Sequence, residues 1–583
     1  LPPPDATRVD EVQGSDAVRL FVARAQAVQP GFGLTPGNAA AIAGICCRLE
    51  GIPLAIELAA ARARIVSVSQ LAEHLDRRFR VLVGGPRSAA SRHQTLRAAM
   101  DWSFDLLPEA ERQLLSRLSV FPQSCDLAAA SAVADDEADP LDVLEGIAGL
   151  IDRSLLVAEG TADTARYRML DTVREYAADR LRDAGEEAAT RARLRYHYVD
   201  RVHDALRSCL SVVGDPWVTI VAVDRENFHA ALEDAVTAGD QEAATVLVGG
   251  LHYTWHWHGS FPAIVSTIDA DWLACSNPSL HAEALLGFMG CGFLAGRLGI
   301  EAIGELVERA RSVADSAGTD RDRGWTRYHL GYFAHIQGDN VTARTRLEES
   351  LGLLAEHSTE RSWAHYQLGW VALGDGDADG AVSQFEAALA TPRPGSDDVQ
   401  NVHTWGSLAL AKAAAGDAPG ASRLARTAVD AARHLAIPGL VTTTLVRAAQ
   451  VEALADSIAQ GEITEALRRL KTQHLGWVPD TLALAALAHE AHGRAGIAAY
   501  LLGGAERRAA EIGGLNRGMW WALPALADLV DGARRRMAES LGAEEFTARH
   551  AAGKAADVRS LIDIALTDLA AEASSDSDYS NTR

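Results

Sequence analysis

A lysine that grips phosphates needs the pattern G-x-x-x-x-G-K-[ST], in which a glycine-rich loop turns backbone N–H groups toward the anion. This 583-residue chain has only three lysines among its 55 lysine and arginine residues, so each can be inspected. Lys412 follows Ala411, Lys471 follows Leu470, and Lys554 follows Gly553 but precedes Ala555. None fits. The chain has no standard phosphate-binding loop and is not expected to act as an ATPase alone. A metal site is the second chemistry to weigh, because His252 and His256 are spaced to share one helical face. They belong to an aromatic run, His252, Tyr253, Trp255, His256, Trp257 and His258. No local carboxylate or thiolate completes a ligand set, so packing is the simpler reading and no metal is expected. The six cysteines contain no C-x-x-C pair and are too sparse for a disulfide scaffold, which makes reduced thiols in a cytoplasm the expectation. No Ser/His/Asp triad, catalytic cysteine setting or paired-carboxylate motif stands out.

Binding is a better prospect than catalysis. Trp325, Tyr328, Tyr332, Trp363, Tyr366, Trp370 and Trp405 recur at similar places in the second half of the chain. Packing between repeats explains such a set, and lining a groove for a peptide or small effector is the functional alternative. The formal charge of −23 argues against wrapping nucleic acid and would suit a basic peptide. No apolar stretch reaches the roughly 18–20 residues needed to span a bilayer, and Leu1-Pro2-Pro3-Pro4-Asp5 lacks the basic and apolar regions of a signal peptide.

These residues must be positioned by helices. Apolar positions at three- and four-residue spacing predict a helix over 15–28, another from Pro36 stopping at Gly51, and a third opening at Pro53. Ser67-Val68-Ser69-Gln70 has the form of a capping box. Residues 92–185 change character: helical segments are followed by two short β-type runs, near Leu155–Ala158 and Arg166–Met169, and a further helix capped by Asp171. That order is the pattern of a winged helix.

From about residue 190 a unit recurs. Leu330-Gly331, Leu368-Gly369 and Leu408-Ala409 each stand eight residues ahead of a Gly-Asp pair, with alanine four beyond the aspartate. Weaker echoes begin at Gly239, Gly461 and Gly493. In each unit the glycine ends one helix, the next residue caps another, and the alanine admits close packing. This is the logic of tetratricopeptide repeats, which stack into a solenoid. The expected fold is therefore mainly α. A linker over 1–14 is followed by a helical subdomain over 15–85, a winged-helix subdomain over 92–185 and a tetratricopeptide-like solenoid over 190–530. C-terminal helices over 531–568 and a disordered tail over 569–583 complete it.

Three segments carry a family resemblance. Arg48-Leu49-Glu50-Gly51-Ile52-Pro53-Leu54-Ala55 resembles the G-x-P motif of NB-ARC-type ATPases, which belong to the signal-transduction ATPases with numerous domains. Arg92-His93-Gln94-Thr95-Leu96-Arg97, with Trp102-Ser103-Phe104, resembles the start of that family's winged helix. Tyr167-Arg168-Met169-Leu170-Asp171 resembles its M-H-D region. The combination is similar to actinobacterial regulators of the SARP and LuxR types. The resemblance implies that Pro53 faces a nucleotide base, with Gly51 allowing close backbone approach. Ending one helix and starting another is the alternative role for both. Asp171 takes the aspartate place of M-H-D, with a helix cap as its alternative. Leu170 stands where relatives carry a phosphate-sensing histidine and cannot donate a hydrogen bond, so Arg168 or His93 would have to serve.

The resemblance also implies ADP or ATP as cofactor, bound with an upstream domain that holds the phosphate loop and acidic residues absent here. The expected function is the regulatory and sensor part of a cytoplasmic bacterial regulator. Its repeats would bind a protein or small effector, coupling to upstream nucleotide-binding and output domains and to self-assembly. A stand-alone repeat scaffold with a vestigial switch region is the competing class. Direct DNA binding is a third, disfavoured because Arg92, Arg97, Arg112 and Arg117 with His93 are opposed by Asp101, Asp105, Glu109 and Glu111.

Overall fold

A computed structural model describes residues 1–2, 8–29, 31–49, 51, 53, 56, 59–60, 63, 67–73, 100, 104–105, 107–135, 139–153, 155–160, 165–207, 215–258, 263–294, 300–391, 398–471, 477–511 and 523–567. The chain divides into two compact units, Leu1–His197 and Tyr198–Arg583. Nearly all of the described residues with regular structure are helical, and the single described sheet has two strands. The mainly α architecture read from the sequence is what the structure shows.

In the first unit, α1 (Val9–Val12), α2 (Asp16–Val28), α3 (Ala39–Arg48) and α4 (Val68–Glu73) enclose one apolar core. Val18, Phe21 and Ala25 of α2 meet Ile42, Ile45 and Leu49 there, as their helical spacing requires. The stretch expected as a linker contributes as well, since Val12 of α1 is fully buried. The capping box is present: Gln70 N–H donates to Ser67 Oγ at 3.2 Å, and Ser67 N–H to Gln70 Oε1 at 3.3 Å. Most of the helix expected from Pro53, the linker after Gly84 and the segment from Arg92 to Ala99 lie outside the described residues.

Three helices and a hairpin follow, α5 (Glu109–Leu118), α6 (Leu127–Ala134), α7 (Pro140–Asp152), β1 (Leu156–Glu159) and β2 (Arg166–Met169), and then α8 (Asp171–Asp183). The strands pair antiparallel with Leu156 opposite Met169 and Glu159 opposite Arg166. Cys125, between α5 and α6, adds a bridge to Tyr167 through backbone bonds of 2.9 and 2.8 Å. Leu156, Tyr167 and Met169 face inward and close the core over Leu115, Ile147, Val173 and Tyr176. Asp171 is the first helical residue of α8 rather than its cap; Leu170 holds the cap position in extended conformation. The motif therefore begins its helix one residue earlier than expected.

α9 (Glu187–Arg207) straddles the boundary between the two units. In the second unit the helices are α10 (Asp215–Thr237), α11 (Gln241–His258), α12 (Pro278–Leu294), α13 (Ile300–Ala317), α14 (Asp320–Ile336) and α15 (Asn340–Leu353). They continue with α16 (Thr359–Gly374), α17 (Ala378–Ala390), α18 (Asp398–Ala414), α19 (Ala418–Leu435), α20 (Pro438–Leu454) and α21 (Gln460–Leu470). The last are α22 (Val478–Ala491), α23 (Ala495–Glu511), α24 (Pro524–Leu541) and α25 (Ala543–Ala555). Successive helices pack in pairs, most extensively α14 with α15, α18 with α19, and α22 with α23, with α16 and α17 close behind.

The turn chemistry explains the pairing. Gly338, Gly376 and Gly416 have φ of +83°, +78° and +92°, which ends each first helix. Asp339, Asp377 and Asp417 then accept N–H bonds from Thr342, Gly380 and Gly420 at 3.0, 2.8 and 2.9 Å. Ala343, Ala381 and Ala421 are fully buried at the crossings. Asp377→Ala should cost about 1 kcal/mol, read as a lower urea midpoint with unchanged slope. The echo at Gly461 departs from this scheme. Gly461 lies inside α21, and the turn before it uses Asp456 at φ +53°. Aspartate tolerates that left-handed conformation better than most residues.

The solenoid closes on itself. α11 packs against α20, α10 against α18, and α20 and α22 both against α24. An unbroken run in α20, Leu440 to Val451, is consequently buried. Along that run α20 has neighbours on every side.

Candidate functional site

The described residues implied by the family motifs fall in two places. Gly51 follows the end of α3 at φ +71°, and its N–H bonds Cys46 O at 3.1 Å, closing the helix as a left-handed C-terminal turn. A Cβ there would lie 3.0 Å from Leu1 Cδ2, so the chain's first residue covers this glycine. Pro53, two residues on, is exposed. Asp171 starts α8 behind the hairpin and pairs with Arg174 at 2.7 Å. Arg168 pairs with Glu159 across the hairpin at 2.6 Å. His93 lies outside the described residues.

In the winged helix, α7 occupies the position from which a recognition helix reads DNA. Its sequence, Pro140-Leu141-Asp142-Val143-Leu144-Glu145-Gly146-Ile147-Ala148-Gly149-Leu150-Ile151-Asp152, contains no basic residue. Leu141 and Leu144 are its exposed large apolar residues, 67% and 38% exposed, beside exposed Asp142 and Glu145. Arg153, just past its end, is held by Gly149 O at 2.7 Å and by Glu111. Such a face offers phosphates nothing to neutralise.

The seven aromatic residues singled out by repetition fall on the inner helices α14, α16 and α18. Trp325, Tyr328, Trp363, Tyr366 and Trp370 are buried, and Tyr332 and Trp405 are partly buried. Trp325 stacks on Tyr328 with centroids 4.4 Å apart, and Tyr328 is parallel to Tyr332 at 6.4 Å. Trp363 meets Tyr366 edge-on at 5.1 Å, and Tyr253 of α11 at 6.0 Å. Tyr366 O–H lies 2.8 Å from His403 Nε2 and 3.0 Å from Ser407 Oγ. The rings thus form a ladder along the inside of the solenoid, tied by a hydrogen-bonded phenol at Tyr366. Burial raises the Tyr332 phenol to about 12.

Beside the aromatics stands a set of charges that sequence reading did not find. Arg321 of α14 bonds Glu360 of α16 at 2.7 Å, Glu283 of α12 at 3.1 Å and Asp322 at 3.4 Å. Trp325 Nε1–H donates to Glu283 at 3.2 Å, and His252 Nε2 lies 3.6 Å from the same carboxylate. Ser279 O–H donates to Asp322 at 2.7 Å. Burial pushes Glu283 up to about 7, against the pull of Arg321. Burial also opposes the charge of Arg321, but Glu360, Glu283 and Asp322 outweigh it and hold the guanidinium protonated. Burial drives His329 down to about 3, with His252 adding repulsion, so its imidazole is neutral. His252 therefore joins a carboxylate, and the side chain of His256, its proposed partner in metal binding, lies outside the described residues. A repeat signal for this set did exist. Asp322, Glu360 and Gln400 stand eight residues ahead of Leu330, Leu368 and Leu408, and all three are buried.

Residues 107–182 match the family model described as a winged helix-turn-helix domain. Among curated proteins, the chain is 44% identical over 245 residues to a Mycobacterium tuberculosis protein provisionally named an HTH-type transcriptional regulator. The alignment covers 41% of this chain and 27% of that protein, and a Mycobacterium bovis protein of the same description matches equally. An uncharacterised Mycobacterium tuberculosis protein is 41% identical over 185 residues, which are 31% of this chain and 47% of the relative. The chain thus spans about a quarter to a half of the length of these curated relatives. Among solved structures, a signal-transduction ATPase with a tetratricopeptide repeat sensor from Pyrococcus horikoshii aligns with 92% of this chain and 75% of its own. Its identity is 12% and the TM-score 0.36, too low for inference from that likeness. Among the described residues, no helix is long and apolar enough to cross a membrane.

Proposed function

We propose that this chain is the regulatory and sensor part of a bacterial signal-transduction and transcriptional regulator of the NB-ARC type. The observation that carries the reading is a winged helix-turn-helix in the same chain as a closed array of Gly-Asp-turned helical pairs, and the chain is similar over 245 residues to a protein provisionally named a transcriptional regulator. The winged helix and the core around Gly51 serve as switch subdomains, and the repeats as the sensor. An effector that binds one arrangement of the repeats better than another shifts the equilibrium by that difference in affinity. Through linkage, the same difference appears in nucleotide affinity at an upstream domain. ADP or ATP is the proposed cofactor of that larger protein, with Pro53 against the base and Asp171 near the phosphates. The chain itself has no phosphate loop and is proposed not to be an enzyme. Assembly with like subunits is the proposed consequence of switching.

The deciding experiment is to express the chain joined to its native upstream sequence and to analyse bound nucleotide. ADP or ATP should co-purify in near-equal molar amount, and Pro53→Ala should lower retention several-fold. A longer protein that neither contains nor binds either nucleotide would sink the reading. Without a basic residue, α7 is proposed to serve an internal or protein contact, with DNA read by another domain. This chain alone should therefore leave generic duplex DNA unshifted in a gel even at low salt.

A further inference from the structure

Arg447, at the centre of α20, is 1% exposed and lies deep among the inner helices of the solenoid. Its guanidinium lies over the indole of Trp370 from α16 at 4.2 Å, and over that of Trp477, just before α22, at 4.9 Å. The stem of the side chain runs against Gly406 of α18, where a Cβ would come within 3.4 Å of its Cβ and Cγ. Four successive inner elements therefore meet at one arginine.

The charge at this point is not balanced by the chain. Among the described residues no carboxylate forms an ion pair with Arg447. Nη1–H donates to Gln450 Oε1 at 2.7 Å, and only through the Gln450 amide, at 3.3 Å, is Asp480 reached. The hydroxyl oxygen of Tyr366 accepts a further hydrogen bond from the guanidinium. Among the described residues Nε–H has no acceptor, and Oδ2 of Asp480, a residue 0% exposed, has no donor. A buried cation without a counter-charge costs several kcal/mol, and indole faces return only about 2 kcal/mol when desolvated. Burial also pushes Asp480 up to about 7, despite Arg447, so near neutral pH this acid supplies only part of a counter-charge. By contrast, Arg321, two inner helices before α18, is surrounded by three carboxylates. The solenoid interior thus has an acidic end whose arginine is fully compensated and a centre whose arginine is not.

We propose that the solenoid interior at Arg447 is a binding site for a small molecule bearing an oxyanion, a carboxylate or a phosphate. The arginine supplies charge and the free Nε–H. Asp480, in its acid form, and the Gln450 amide stand beside it as further donors. The indoles of Trp370 and Trp477 flank the apolar part of the ligand. Trp477 is itself partly exposed, so the guanidinium is one ring away from solvent on that side. This names the ligand class for the sensor and so rests on reading the repeats as one.

The test uses the whole chain in differential scanning fluorimetry at fixed ionic strength, with chloride exchanged for acetate, benzoate or inorganic phosphate. At least one should raise the melting temperature saturably, and the choice among them separates carboxylate from phosphate recognition. Calorimetric titration of that anion should show at least tenfold weaker binding by Arg447→Gln. Arg447→Lys, which keeps the charge but loses the fork, should also bind less tightly, and circular dichroism confirms that each variant is folded. If Arg447→Gln does not fold, the lysine variant decides. The proposal is overturned if none of the three anions gives a saturable shift, or if the folded variants bind as wild type does. Nucleotide retention by the longer protein is measured separately, so an anion-blind chain that still carries ADP would refute this site and leave the switch standing.

Discussion

Gly553→Val should be among the most damaging single changes in the repeat unit, lowering stability by about 3 kcal/mol. The cause is backbone against backbone. A Cβ at Gly553 of α25 would lie 1.8 Å from the Tyr500 carbonyl oxygen of α23, and one at Gly503 would lie 2.1 Å from that of His550. Each helix therefore presents a glycine to the other's main chain, and no rotamer change can relieve the contact. Adding a side chain must drive α23 and α25 apart, and Leu561, whose Cδ atoms lie 2.5 Å from a Cβ at Gly504, must move with them. Chemical denaturation should show the loss as a lower midpoint. Gly461→Ala is the control: nothing lies within 4 Å of its Cβ position inside α21, so the change should be neutral or slightly stabilising.

The second large effect is expected at Arg321. Its side chain is 28% exposed, while those of Glu283, Asp322 and Glu360 are 3%, 2% and 3% exposed. Arg321→Met leaves three buried carboxylates without their cation, which should cost about 3 kcal/mol at pH 8. The loss should shrink on acidification. Burial already raises Glu283 to about 7 in the intact cluster, against the pull of Arg321, so removing Arg321 raises it further. An acid with a raised folded-state pKa binds more protons folded than unfolded, so stability falls as pH rises from its ordinary value to the raised one. The difference between wild type and variant should therefore widen from pH 5 to pH 8 in thermal melts. A gap that stays constant across that range would show that Arg321 acts by packing alone.

Neither site was visible beforehand, although the helix pairs that carry them were. Helix pairing was legible because its determinants are local: a positive-φ glycine, an aspartate cap and an alanine four residues later act within one turn. The capping box at Ser67 and the hairpin around Leu156 and Tyr167 were legible for the same reason. Closure of the solenoid was not, because bringing α11 back to α20 depends on the small rotation accumulated over every intervening pair. The expectation of a concave groove carried no information about that sum. The ladder of Asp322, Glu360 and Gln400 was written at constant spacing, yet polar residues in a first turn ordinarily face solvent. Only the packing of neighbouring inner helices over these positions buried them and turned them into partners.

By itself the sequence determined the class of the molecule. It excluded a phosphate loop through three lysines, specified helices and their ends, and placed a winged helix before a repeat array. These are properties of neighbouring residues, set by steric limits on the backbone and by hydrogen bonds that span a few positions. The tertiary structure alone decided which charges are compensated. Arg321 and Arg447 are alike as residues, but one meets three carboxylates and the other two indoles and an amide. What separates them is which helices the closed solenoid brings within a few ångströms, and in a desolvated interior that distance sets the energy.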